Sequence, residues 1–263
     1  MTTSGARRAV LVTGSAGLIG SILRRELGEA FELRGFDRRA ASPNDVAGEL
    51  RDLQLLERAC RGVDAVVHLA ADHRLEAPWD RVLEDNIVGT YVLFEAVRRA
   101  GVRQVVFASS NHVVGGYEPD WPHDQGGEQT PLVTTDAVLR PDSLYGVSKV
   151  FGEALGRYYH EHYGLRVVCL RLGSVLPEDD PWRAAQRITP AAPETAFRRF
   201  RSTWLSHRDC AALVAAALQS EVGWAVVYGV SANRHRFWDL APAERLLGFR
   251  PLDAAPDEPP AGG

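Results

Sequence analysis

Ala9-Val10-Leu11-Val12-Thr13-Gly14-Ser15-Ala16-Gly17-Leu18-Ile19-Gly20 is the stretch whose reading decides the fold. Its opening residues form a short apolar run, as in a strand buried on both faces of a parallel sheet. Glycines follow at once, and then Leu18, Ile19, Ile22, Leu23 and Leu27 recur at helical spacing. The order is strand, glycine-rich turn, amphipathic helix. Glycine is required where backbone approaches a pyrophosphate and where a helix packs close on a strand. The helix N-terminus offers free N–H groups and a positive dipole end to phosphate. The spacing is Gly-x-x-Gly-x-x-Gly rather than Gly-x-Gly-x-x-Gly, and a glycine triplet alone marks only a tight turn. Between this strand and this helix it is read as a dinucleotide site, with Gly14, Ala16, Gly17, Leu18, Ile19 and Gly20 against the cofactor.

Downstream, Glu32-Leu33-Arg34-Gly35-Phe36 reads as a second strand ending at Asp37. An acid there binds both ribose hydroxyls of an adenosine and repels a 2′-phosphate, so NAD is expected over NADP. Arg38 and Arg39 follow directly and could hold a 2′-phosphate. Asp52-Leu53 fits two roles equally well, an adenine contact or the cap of the next helix. Asp64 to Ala71 is a further buried strand, and the small residues after Leu69, Ala70 and Ala71, leave room for a cofactor. His68 within it reads as a satisfied core histidine, whereas His73 lies where a substrate could be. Residues 79–100 have one long helical pattern, inside which Asn86 is either a buried polar group or an exposed one. Gln104 to Ala108 is strand again and runs into Ser109-Ser110-Asn111-His112. Ligands of open α/β sheets bind at the carboxyl ends of the strands, so this polar run is a site candidate; Ser and Asn are also ordinary turn formers.

Tyr145-Gly-Val-Ser-Lys149 places a phenol and an amine one helical turn apart on one face. A nearby ammonium favours a phenolate, which makes the pair a plausible proton-transfer device; the same spacing occurs on helices where Tyr is core and Lys is solvated. Arg166 to Leu170 is another strand, leading into Leu172-Gly173-Ser174. Residues 114–140 and 177–198 read as two long loops. Arg198, Arg199 and Arg201 then cluster, either as a solvated face or as an anion site. Ser206-x-x-Asp209 resembles a capping box before a helix over residues 210–219, and Val226 to Val230 is a last strand.

Alternating strands and helices predict an α/β fold, a Rossmann-type doubly wound parallel sheet. Residues 1–175 are expected to form the dinucleotide-binding domain, 176–253 a small substrate-binding portion interleaved with the sheet, and 254–263 a disordered tail. The 263 residues are 45% hydrophobic and 24% charged, an ordinary globular composition. A net charge of -4 argues against nucleic acid or an anionic membrane as partner. Cys60, Cys169 and Cys210 show neither a disulfide framework nor zinc spacing, so no metal and a reducing, cytoplasmic location are expected. No secretory leader and no apolar run long enough for a membrane span is visible.

Taken in order and spacing, Thr13-Gly14-Ser15-Ala16-Gly17-Leu18-Ile19-Gly20, Asp52-Leu53, His68-Leu69-Ala70-Ala71, Asn86-Ile87-Val88-Gly89-Thr90 and Tyr145-Gly-Val-Ser-Lys149 resemble the extended short-chain dehydrogenase/reductase superfamily, the NAD-dependent epimerases and dehydratases. Within it, the Ser109-Ser110-Asn111-His112 run, Arg171-Leu172-Gly173-Ser174 and Ser202-Thr203-Trp204-Leu205-Ser206-His207 are most similar to bacterial NAD-dependent uronate dehydrogenases. The resemblance implies Tyr145 as the base, Lys149 on the nicotinamide ribose and Ser110 on the reacting oxygen. It also implies Asn86, Ser109 and Leu172 among the cofactor contacts. On the sugar side it implies Asn111, His112 and Ser174 on hydroxyls and Arg199 on a carboxylate. The implied reaction is NAD-dependent oxidation of galacturonate or glucuronate at C1 to an aldaro-lactone, by a homo-oligomer. Two other readings stay open: a nucleotide-sugar epimerase, dehydratase or reductase of the same superfamily, and a non-catalytic NAD(P)-binding regulatory protein. The chain departs from the uronate dehydrogenases in its longer segments before Arg140 and before Arg198, and in an extra residue at Asp72-His73.

Overall fold

The structure, a computed structural model, describes residues 7–120 and 132–260. Its elements run β1 (Ala9–Thr13), α1 (Leu18–Leu27), β2 (Glu32–Asp37), β3 (Val46–Ala47), α2 (Leu53–Cys60) and β4 (Ala65–His68). There follow α3 (Trp79–Arg81), a π-helical stretch (Val82–Val88), α4 (Gly89–Ala100), β5 (Gln104–Ser110) and a 3-10 segment (Asn111–Asp120). The chain continues as α5 (Leu144–Tyr163), β6 (Arg166–Leu172), α6 (Pro181–Ile188), α7 (Pro193–Thr203), α8 (His207–Gln219), β7 (Trp224–Gly229) and α9 (Ala241–Leu247).

Every pairing in the sheet is parallel, and among the described residues the strand order is β3-β2-β1-β4-β5-β6-β7. The order reverses between β1 and β4, and such a switch point opens a crevice at the strands' carboxyl ends. Strand alternation divides the core into two layers. Val10 and Val12 face one side with Ile22, Leu23 and Leu213, beneath α1 and α8. Leu11 faces the other with Leu56, Leu93, Phe94 and Phe107, beneath α2, α4 and α5. Burial on both faces is why these strands are unbroken apolar runs in the sequence.

Two glycines fix the turn after β1. Gly14 has φ 73°, and a Cβ there would stand 2.8 Å from the Ala70 nitrogen. A Cβ on Gly20 would meet the Gly14 and Ser15 carbonyl oxygens at 2.6 Å. Both approaches exclude a side chain, so the turn can lie flat against the exit of β4.

The C-terminal residues share the sheet rather than forming a body apart. β7 pairs with β6, and α8 packs on the same layer as α1. Three sequence expectations need correction here. The stretch expected as a loop over 177–198 contains α6 and most of α7. Pro181 and Pro193 occupy the first turns of these helices, where a missing N–H is harmless, and Asp180 caps α6 by accepting from the Trp182 and Arg183 nitrogens. The loop expected over 114–140 begins as the 3-10 segment, and Val133 bridges to Trp238; residues 121–131 lie outside the described ones. The tail expected to be disordered is pinned at its start: Ala255 is buried, its nitrogen donates to Asn233 Oδ1 at 2.9 Å, and Arg201 Nη1 donates to the Asp257 carbonyl at 2.8 Å. Residues 261–263 lie outside the described ones.

Candidate active site

A cleft of about 990 Å³ opens along the carboxyl edge of the sheet at the switch point. At one end lie Gly14, Ala16, Gly17, Leu18, Ile19 and Gly20 with Asp37, and Leu69, Ala70 and Ala71 form its floor. Ser109, Ser110, Asn111, His112, Tyr145, Lys149 and Leu172 stand at its middle, Ser174 lies toward the other end after β6, and His73 lines it after β4.

The cofactor end suits a dinucleotide. Gly17 caps α1 without any side-chain bond, so the first N–H groups of that helix face the cleft unmasked. Asp37 Oδ2 accepts from the Ala16 nitrogen at 3.1 Å, and Oδ1 accepts from the Arg39 nitrogen at 3.3 Å. The acid at the end of β2 is thereby held beside the glycine-rich turn, with Arg38 and Arg39 also lining the cleft.

Asp52 and Leu53 do not line the cleft. Asp52 caps α2, its Oδ1 accepting from the Leu55 nitrogen at 2.9 Å, and Leu53 packs on the core; Leu50 and Arg51 take the lining positions instead. Asn86 is buried and also stands back from the cleft. Its Oδ1 accepts from the Asp72 nitrogen at 2.8 Å, and its Nδ2 donates to the Asp72 carbonyl at 2.9 Å and to Ser148 Oγ at 3.0 Å. This clamp ties the chain leaving β4 to α5, within the π-helical stretch. His68 is a core residue, bonded through Nδ1 to Thr13 Oγ1 at 2.7 Å and through Nε2 to Thr90 Oγ1 at 3.1 Å. Burial, with a smaller push from Lys149, lowers its pKa to about 3.

Tyr145 sits in the first turn of α5, which Ser143 caps by accepting from the Gly146 nitrogen at 3.1 Å. One turn on, Lys149 sends its Nζ inward to donate to the Ala108 carbonyl at 2.7 Å, 5.5 Å from the centre of the Tyr145 ring. Burial pulls the Lys149 ammonium down to about 8, while Cys169 and Glu153 act the other way. Burial also pushes the Tyr145 phenol up to about 12, against the pull of the Ser110 hydroxyl beside it. The protein alone therefore keeps the phenol protonated, and the charge that favours phenolate must come from Lys149 and from what binds beside it.

Behind these groups, Ser109 Oγ donates to Glu153 Oε1 at 2.6 Å, and Arg171 holds the same carboxylate with two bonds of 2.8 Å. The Ser109 hydroxyl is thus spent on the core, leaving Ser110 as the serine hydroxyl beside the phenol. His112 Nδ1 pairs with Asp142 Oδ2 at 2.7 Å, and its ring meets that of Tyr145 edge-on, centroids 6.0 Å apart. Burial raises the Asp142 carboxyl, but the bonds from His112 and Ser143 outweigh it and hold it below the usual range.

Of the three clustered arginines, Arg198 is exposed and Arg201 is buried against the tail. Arg199 reaches the cleft residue Ser174, with Nη1 3.4 Å from Ser174 Oγ, and its Nε lies 2.6 Å from Glu118 Oε1. A further cation, Arg187 of α6, lines the cleft itself and pairs with Glu178 at 2.5 Å. Sequence reasoning missed it because its segment read as loop. Among the described residues no cluster of acids, histidines and cysteines could hold a metal, and no helix is long and apolar enough to cross a membrane.

This parallel sheet, with a glycine-rich turn at its switch point and a Tyr/Lys pair at its carboxyl edge, matches a known family model. The NAD dependent epimerase/dehydratase family model covers residues 10–223, and the chain belongs to that family. It is 37% identical over 264 residues to the NAD-dependent glucose-6-phosphate dehydrogenase of Haloferax volcanii, covering 93% of each chain. It is 35% identical over 262 residues to the uronate dehydrogenase of Pseudomonas syringae pv. tomato, covering 97% of this chain and 85% of that one. A crystal structure of a uronate dehydrogenase mutant from Agrobacterium tumefaciens complexed with NAD superposes with a TM-score of 0.76 at 33% identity, covering 97% of this chain and 93% of that one.

Proposed function

We propose that this protein is an NAD-dependent dehydrogenase that oxidises a hexuronate, galacturonate or glucuronate, at C1 to the aldaro-lactone. The observation that carries the reading is the convergence of Ser110, Tyr145 and Lys149 in the middle of one cleft. The glycine-rich turn lies at one end of that cleft, and the Arg199-bonded Ser174 toward the other. NAD, held along Gly14 to Gly20 and by Asp37, supplies the hydride acceptor. Tyr145 takes the C1 hydroxyl proton, and Ser110 hydrogen-bonds the same oxygen. Lys149 holds the cofactor ribose and places a cation near the phenol. Asn111, His112 and Ser174 orient the sugar hydroxyls, Asp142 fixing the His112 ring through Nδ1. The guanidinium of Arg199 receives the carboxylate. Arg187 favours a second reading, a sugar phosphate, since Arg187 itself lines the cleft.

Pure protein mixed with NAD and galacturonate, glucuronate or glucose 6-phosphate tests both readings through NADH absorbance. Turnover of either uronate is expected. Absorbance that rises only with the phosphate replaces the first reading by the second, and no rise with any of the three at high protein concentration removes both.

A further inference from the structure

Next to Ser174, a residue of the cleft wall, Arg199 is already paired. Its Nε lies 2.6 Å from Glu118 Oε1, and Nη1 is turned to Ser174 Oγ. Both side chains are largely withdrawn from solvent, Arg199 being 31% exposed and Glu118 17%. Glu118 belongs to the 3-10 segment that follows β5 through Asn111 and His112 and bends at Val114. The carboxylate and the polar strand end are thus one piece of chain. A guanidinium binds a carboxylate best through two parallel N–H bonds along one edge. On Arg199 the Nε edge faces Glu118 and Nη1 serves Ser174. An acidic sugar arriving here meets a cation that an internal anion has already neutralised. It must displace that anion or sit beside it, and two carboxylates on one guanidinium repel each other. A neutral sugar meets no such competitor.

We propose that Glu118 is a specificity-determining residue, competing with the substrate's carboxylate for Arg199 and so narrowing the preference for acidic over neutral aldoses. This rests on the hexuronate reading above and names what tunes it. Glu118 touches no reacting atom and acts through Arg199.

Glu118→Gln keeps the shape and removes the charge. It is expected to lower KM for galacturonate and glucuronate roughly three- to tenfold, the range of a partly buried ion pair. The values of kcat, KM for NAD and KM for galactose are expected to stay within about twofold, because the change is electrostatic and local. In an Arg199→Gln background the same substitution leaves KM for the uronates unmoved. An unchanged or raised KM in Glu118→Gln, or a fall that persists without Arg199, overturns the proposal. Calorimetric titration of galacturonate into the enzyme–NADH complex reads the competition without turnover. Tighter binding by Glu118→Gln in a protein that oxidises no uronate sinks the reaction reading and upholds the competition. Normal uronate turnover with unchanged affinity in the variant does the reverse.

Discussion

At the cofactor end of the cleft the working surface is largely backbone: the Gly14 turn, the uncapped first N–H groups of α1, and small residues after β4. At the sugar end it is side chains held in pairs: Arg199 with Glu118 and His112 with Asp142 from elements far apart in the chain, and Arg187 with Glu178 just before its own helix. Backbone geometry is set locally by which residues lack a Cβ, and the ligand it suits can change little without refolding the turn. Paired side chains can exchange partners at the scale of single ion pairs. The contrast explains how one fold keeps a dinucleotide site while its relatives are named for different sugars.

Tyr145 stands where the two ends meet, and Tyr145→Phe sharpens the contrast most. It removes the proposed proton acceptor and little volume. Turnover is expected to fall by roughly 10²–10⁴-fold, the usual worth of a positioned general base. Dissociation constants for NAD and for the sugar should stay close to wild type, read by fluorescence and calorimetry. Retained turnover would move the base elsewhere, with His112 first in line because its ring already meets that of Tyr145.

Gly14→Ala probes the backbone end. The added Cβ lands 2.8 Å from the Ala70 nitrogen at a φ of 73°, so the turn must shift. Strain of this kind is worth about 1–3 kcal/mol, or about tenfold or more in NAD affinity if the turn relaxes by moving into the cleft. Affinity for the sugar in the pre-formed NAD complex should change far less. If calorimetry shows both affinities falling together, the two ends are not separately built.

The same contrast governs what the sequence discloses. The glycine-rich turn, Asp37 and the strand-end run from Ser109 to His112 are legible because local spacing and a parallel sheet's habits place them, and they line the cleft. Asp52 is legible only as a pair of alternatives, of which the structure shows the cap. The sugar end resists reading. Arg187 enters the cleft only because α6 forms, and α6 hides behind Pro181, a residue that stops a helix elsewhere but starts one here. Glu118 has no local signal at all, since its partner lies on α7, far along the chain. The anchoring of Ala255 by Asn233 is hidden in the same way, by a bond between remote segments.

Lys149 separates what the site needs from what the fold prefers. The residue is 4% exposed and its pKa falls from 10.5 to about 8, burial being the main cause. Below pH 8 folded and unfolded chains are both protonated, and the folded state carries the whole penalty of the buried cation. Between pH 8 and 10.5 the unfolded chain binds more protons than the folded one, so stability from this group rises with pH; above 10.5 the penalty is gone. Lys149→Met replaces the cation by an apolar stem. The lost donor to the Ala108 carbonyl offsets part of the gain, whose ceiling is about 3 kcal/mol. At pH 7 the variant is expected to melt roughly 2–6 °C above wild type while losing turnover, and the gap should narrow at pH 9.5. Thermal unfolding of both proteins at the two pH values checks this. A variant that melts lower at pH 7 would mean that the Ala108 bond and the contact of Lys149 with the Phe107 ring, 4.9 Å from its centre, outweigh the desolvation of the charge. Lys149 would then belong to the fold as firmly as Gly14 does.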